Sequence, residues 1–304
     1  MRRHLLLALM VPMLLSGCGV KLVYNNLDRI IPWVADDYIK FDDRQEEYFD
    51  AELASILYWH RTTQLPEYAL ALRRFDADVA DGLTLEELLI MEEQALEASH
   101  LMRARFVPMA TEILYSTTPQ QLLDIKRRFD RRNAKYLKPI ANLDMEGERQ
   151  RWGSDFQDAF ELFVGRASTE QRDRIAKVAT VYVPEERMWI EYRERWQDSV
   201  FALMDLELSY PELLLRVREM VGRRDRWYGE EYDEVMQRNE SLYRSLAIDL
   251  TDSLSEGQQH TLSKRLLGWA QAFEELAADA DPEPPPLACM AGCPVYAGGA
   301  LLVQ

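Results

Sequence analysis

From Pro184 to Leu203, bulky apolar side chains return at Trp189, Tyr192, Trp196, Val200 and Leu203, in steps of three, four, four and three. That interval gathers them on one face of an α-helix, whereas a strand would need alternation at every second residue. Similar stripes recur elsewhere: Leu22, Val23, Leu27, Ile30 and Ile31; Leu122, Ile125, Phe129 and Tyr136; Phe156, Phe160 and Phe163. No stretch alternates like a half-buried strand. The chain therefore reads as all-α, an elongated or two-lobed bundle of about ten helices.

Punctuation divides the stripes into elements. Pro32 is expected to break or restart the first helix, Pro66 to open one that Asp81-Gly82 closes, and Pro108 to kink or end the long helix begun at Thr84. That long helix offers Leu85, Leu88, Leu89, Met91 or Glu92, Leu96 and Ser99 as its stripe. Pro119, Pro184 and Pro211 sit where first helical residues are expected. The acidic run 36–52 reads as one helix carrying Tyr38, Phe41, Gln45, Tyr48 and Glu52 on a shared face. Segment 142–151, polar and containing Gly147, is the candidate boundary between halves. Further helices are expected from 230 to 250 and from 255 to 278.

Ahead of this body lies a leader. Arg2, Arg3 and His4 precede eleven apolar residues, Leu5 to Leu15, the layout of an export signal. Eleven residues are too few to cross about 30 Å of hydrocarbon. Leu15-Ser16-Gly17-Cys18 then resembles the lipobox of bacterial lipoproteins. The resemblance implies cleavage before Cys18 and a diacylglycerol on its sulfur. Gly19 stands where enterobacterial lipoproteins held in the inner membrane carry Asp, so the resemblance implies an outer-membrane anchor facing the periplasm. The expected parts are a signal peptide (1–17), a helical domain (18–280) and a Pro-rich spacer with an unpacked tail (281–304).

Directly after the lipobox, Cys18-Gly19-Val20-Lys21-Leu22-Val23-Tyr24-Asn25-Asn26-Leu27-Asp28, followed by acidic and aromatic residues from Trp33 to Tyr48, resembles a family of Gram-negative lipoproteins catalogued as a domain of unknown function (number 6279). The resemblance extends over 18–280 and implies no activity. Four helix starts also echo one another: Thr84 to Glu87, Thr118 to Gln121, Ser168 to Gln171 and Ser255 to Gln258. The last, with Leu254, is similar to the Leu-Thr-x-x-Gln motif of small periplasmic chaperones of the Spy type. The simpler reading is that each Ser or Thr caps a helix and the Glu or Gln returns to the cap.

Charge limits the partners. Two of the 36 basic side chains, Arg2 and Arg3, leave with the leader, against 52 acidic ones, so the formal balance moves from −16 to −18. Nucleic acid is excluded on that ground, since phosphate binding draws on clustered Lys and Arg. One cluster exists: Lys126, Arg127, Arg128, Arg131, Arg132, Lys135 and Lys138. It is either an anion- or partner-binding face or a solvated face answering the acidic 36–52 run. The 223–228 stretch reads as an exposed basic-aromatic turn.

Cys289 and Cys293 are the candidate disulfide, which the oxidising periplasm permits. A loop that short would stabilise little. His60, His100 and His260 have no zinc-ligand spacing, and neither a phosphate loop, a Gly-x-Ser-x-Gly elbow nor a nucleophilic cysteine is present. No cofactor, metal site or catalytic residue is assigned. The expected function is binding or scaffolding in the envelope, chaperone-like, with a cell-envelope hydrolase acting on peptidoglycan or glycan as the alternative.

Overall fold

The structure, a computed structural model, describes residues 17–222 and 224–285. Among them every regular element is helical. The elements are α1 (Gly17–Tyr24), α2 (Leu27–Ala35), α3 (Asp43–Trp59), a π-helical turn (His60–Gln64), α4 (Leu65–Asp81), α5 (Leu85–Ser116), α6 (Pro119–Leu137), α7 (Met145–Val164), α8 (Thr169–Ala179), α9 (Glu186–Met204), α10 (Tyr210–Gly222), α11 (Glu230–Thr251) and α12 (Glu256–Ala278).

The ends of the chain meet. Helix α12 packs along α4 and also against α1 and α7. Arg73 of α4 grips Glu274 of α12 through Nε and Nη2 at 2.9 and 2.8 Å, and Lys21 of α1 bonds Glu275. Apolar burial is spread over several clusters. Val79, Leu88, Val164, Leu262 and Leu266 join α4, α5, α7 and α12. Leu53, Ile56, Met109 and Ile113 join α3 to α5. Val107, Leu203, Leu213 and Val217 join α5 to α9 and α10.

The α9 stripe lies as its spacing demands: Tyr192 and Leu203 are buried, while Trp189, Trp196 and Val200 are half-buried. All four echoed helix starts are capping boxes, with the Ser or Thr oxygen accepting from the third backbone N–H and the Glu or Gln returning to the cap. Asp42 and Gln45 form a fifth.

Several expectations are corrected. Asp42 caps α3, so 36–42 is turn and the acidic run is not one helix. Asp42 Oδ1 takes the N–H groups of Arg44 and Gln45 at 3.0 and 2.9 Å and ends any continuation backwards. Pro32 lies inside α2. The break comes earlier, where Asn26 Nδ2 donates to Leu22 O and competes with the helix ladder. Segment 142–151 is mostly the first turns of α7, begun by Asp144 accepting from Gly147 N at 2.8 Å. Helix α5 runs unbroken through Pro108, and of its expected stripe Leu85, Leu89 and Leu96 are 50, 42 and 56% exposed. The 223–228 aromatics pack inwards. Trp227 Nε1 donates to Ser199 Oγ at 2.6 Å, and Tyr228 meets Tyr192 at 4.6 Å between ring centroids.

Candidate functional site: an apolar groove beside the first helix

Helices α4 and α5 are antiparallel, joined at Gly82 (φ 106°) and Leu83. Glycine adopts that backbone without the clash a Cβ brings. The second half of α5 is drawn onto α3 and α10, while its first half contributes one buried residue, Leu88. The side chains α5 offers towards α4 are small at Ala95, Ala98 and Ser99, so the space between the two helices stays unfilled. The result is a half-open groove of about 900 Å³, at the upper end of ligand-pocket sizes.

Trp269 and Phe273 of α12 line the groove together with Met91 and Met102 of α5 and Tyr68 of α4. Leu70 and Leu101 stand at its lips, 58 and 43% exposed. Glu67, Arg74, Glu97 and Arg103 supply its charges. Apart from these the wall is apolar, with Gln64 and Gln94 as its amides.

The groove lining continues into the seat of α1. Tyr24, Leu65 and Leu276 form a buried cluster on which Leu27, Tyr68 and Phe273 pack. Tyr24 Oη lies 2.8 Å from His60 Nδ1, their rings stack at 5.7 Å, and His60 meets Tyr68 edge-on at 5.5 Å. The Arg61 guanidinium sits 5.1 Å over the Tyr24 ring. Burial pushes His60 down to about 4 from the ordinary histidine value of 6.5. The unfolded chain therefore takes up this proton at higher pH than the folded one does. The stability His60 contributes is full above about 6.5 and is lost as pH falls towards 4. Urea midpoints at pH 7 and pH 5 should fall further for the native protein than for His60→Gln. Equal falls would show that His60 does not carry the effect.

The basic residues divide into two sets. Arg128 Nη1 donates to Asp36 O at 2.8 Å, and Arg132 bonds Asp37 at 3.0 Å with its guanidinium 4.1 Å over Tyr38. These two hold the 36–42 turn against α6, which is the structural answer to the acidic run. Lys126 lies 5.5 Å over Phe201, and Arg127 pairs with Asp124. Arg131, Lys135 and Lys138 are exposed, with Lys138 beyond the end of α6.

Gly17 opens α1 and Cys18 follows it in the same helix. Leu15, Ser16, Cys289 and Cys293 lie outside the described residues. Among those described, no group of three or more His, Cys, Asp or Glu side chains is arranged to hold a metal, and no helix is long and apolar enough to cross a membrane.

Paired acids do occur inside the bundle. Burial raises the Glu52 carboxyl, the Arg105 cation opposes that shift, and Glu112 adds to it. Glu112 has no exposed surface, whereas Glu52 is half-buried. Sequence reasoning missed the groove because it put Met91 and Ser99, which line it, in one stripe with Leu85, Leu89 and Leu96, which do not. The available signal was the Ala95, Ala98 and Ser99 run, small residues in a helix otherwise rich in Leu and Met.

No curated protein and no solved structure matches the chain. One family model does, over residues 37–244, from the turn before α3 into α11. The Cys18–Asp28 stretch and α12 fall outside that match. With more than half of its length covered, the chain belongs to a family of unknown function, DUF6279.

Proposed function

We propose that the protein is a lipid-anchored envelope protein that works by binding. Held through Cys18 at the periplasmic face of the outer membrane, it shelters apolar parts of other envelope molecules from water, in the manner of a chaperone. The observation that supports this reading is the half-open groove between α4, α5 and α12, with Leu70 and Leu101 exposed at its lips. Exposed apolar surface joined to a concavity is a common mark of a binding site. Anchoring contributes by raising the local concentration of the groove where its ligands are.

A photo-crosslinking side chain at position 101 tests this in intact cells. It should give discrete adducts that disappear when Ala98→Phe fills the groove. The same group at position 145, an exposed methionine of α7, should give none. Equal labelling at the two positions, or adducts at 101 that survive Ala98→Phe, would remove the groove as the binding site.

A further inference from the structure

We propose that the groove takes one linear acyl chain of an envelope glycerophospholipid. This rests on the binding reading above and names its ligand.

The shape argues first. A helix with its side chains is a cylinder about 10 Å across, so about 900 Å³ accommodates about 11 Å of it, roughly two turns. The groove extends along α5 from Met91 to Met102, about 16 Å at the α-helical rise. A helix laid along that length would need about 1,260 Å³, more than the groove holds, so a helical peptide could not sink into it fully. An acyl chain is narrow enough to run its full length.

The chemistry of the wall argues second. An extended peptide carries an N–H and a C=O at every residue, and each needs a partner once buried. The walls here are helices, whose backbone groups are already bonded to their own turns, and no sheet edge is available. Gln64, Gln94, Ser99 and the charged Glu67, Arg74, Glu97 and Arg103 could pair with parts of it. Side chains do not supply the alternating N–H and C=O row that a strand offers an extended backbone. A hydrocarbon chain has no polar group to satisfy. Met91 and Met102 can adjust to its bends.

Position argues third. Tyr68 and Phe273 line the groove and also pack against the Tyr24 cluster that seats α1, the helix containing Cys18. One end of the groove therefore adjoins the attachment helix, where acyl chains are the abundant apolar solute. Arg103, at the groove end that adjoins α1, offers a cation to a phosphodiester headgroup, while Arg74 lies towards the opposite end.

The test uses Trp269 as the reporter in the full chain carrying Cys18→Ser. The probe is 9,10-dibromostearate below its micellar concentration, whose bromines quench indole at contact range. Saturable quenching is expected, with the quenched component absent in Trp269→Phe and displaced by lysophosphatidylglycerol. Ala98→Phe should weaken probe binding at least tenfold, with circular dichroism confirming its helix content. Quenching that does not saturate, or that is unchanged in Trp269→Phe, would overturn the proposal. So would displacement by a soluble leucine-rich decapeptide at one-tenth of the lysolipid concentration. Groove-specific crosslinks at position 101 without dibromostearate quenching would overturn the acyl assignment alone. Loss of those crosslinks' dependence on the groove would overturn the binding reading itself.

Discussion

Replacing Cys18 by Ser should move the protein from the membrane fraction to the soluble periplasm. Attachment through Cys18, as proposed above, would place acyl chains in the bilayer, each buried methylene contributing about 0.8 kcal/mol. One myristoyl-length chain binds only marginally, so retention depends on several chains acting together. No helix in the described residues is long and apolar enough to span a bilayer. The formal balance of −16 also opposes adhesion to anionic lipid. Fractionation of cells expressing either form, with alkaline washing of membranes, reads the result directly. A variant that stays with membranes although residues 1–17 have been removed from it would show that attachment comes from the folded body, and would end the anchor assignment.

The helix starts were the most legible part of the sequence because capping is local chemistry. A Ser or Thr followed three residues later by Glu or Gln contains both partners of a reciprocal pair of hydrogen bonds. Thr84, Thr118, Ser168 and Ser255 all act this way. The acidic 36–52 run failed for the same reason turned round: Asp42 is itself a cap, and an acid at a cap looks in sequence like an acid on an exposed face. The groove was not legible because periodicity identifies which residues share a face and not what lies opposite. Leu85, Leu89 and Leu96 do share a face of α5. They are exposed and line no part of the groove, which opens on the face that carries Met91, Ala95, Ala98 and Met102. The basic face was half legible. Its seven charges were read as a unit, whereas Arg128 and Arg132 are spent on the 36–42 turn and Arg131, Lys135 and Lys138 remain exposed.

The capping boxes also do something their local pattern could not reveal, and Gln171→Ala should expose it. In each of two places, a pair of boxes meets end to end through its glutamines. Gln171 Oε1 accepts from Ser168 N and from Gln258 Nε2, both at 2.8 Å. Gln171 Nε2 donates to Ser253 O at 3.1 Å, and Gln258 Nε2 donates to Arg166 O at 3.0 Å. The same pattern joins Gln45 to Gln121: Gln45 Nε2 reaches Ser116 O at 3.3 Å and Gln121 Nε2 reaches Lys40 O at 2.9 Å. In all four cases the accepting carbonyl lies two residues before the partner helix's cap. The clasps tie residues 76 and 87 positions apart, and Gln171 has no exposed surface. Gln171→Ala leaves Ser253 O and the Gln258 amide without this partner and opens a cavity, a loss of about 3 kcal/mol. Urea unfolding checks it, and a loss below about 1 kcal/mol would mean that water replaces the clasp at no cost. Pairing Gln171→Ala with Gln258→Ala should be non-additive by about 0.5–3 kcal/mol, because both remove one network. Pairing Gln171→Ala with Gln45→Ala should be additive, since those residues belong to separate clasps. Additivity in the first pair would reduce the clasp to two independent caps.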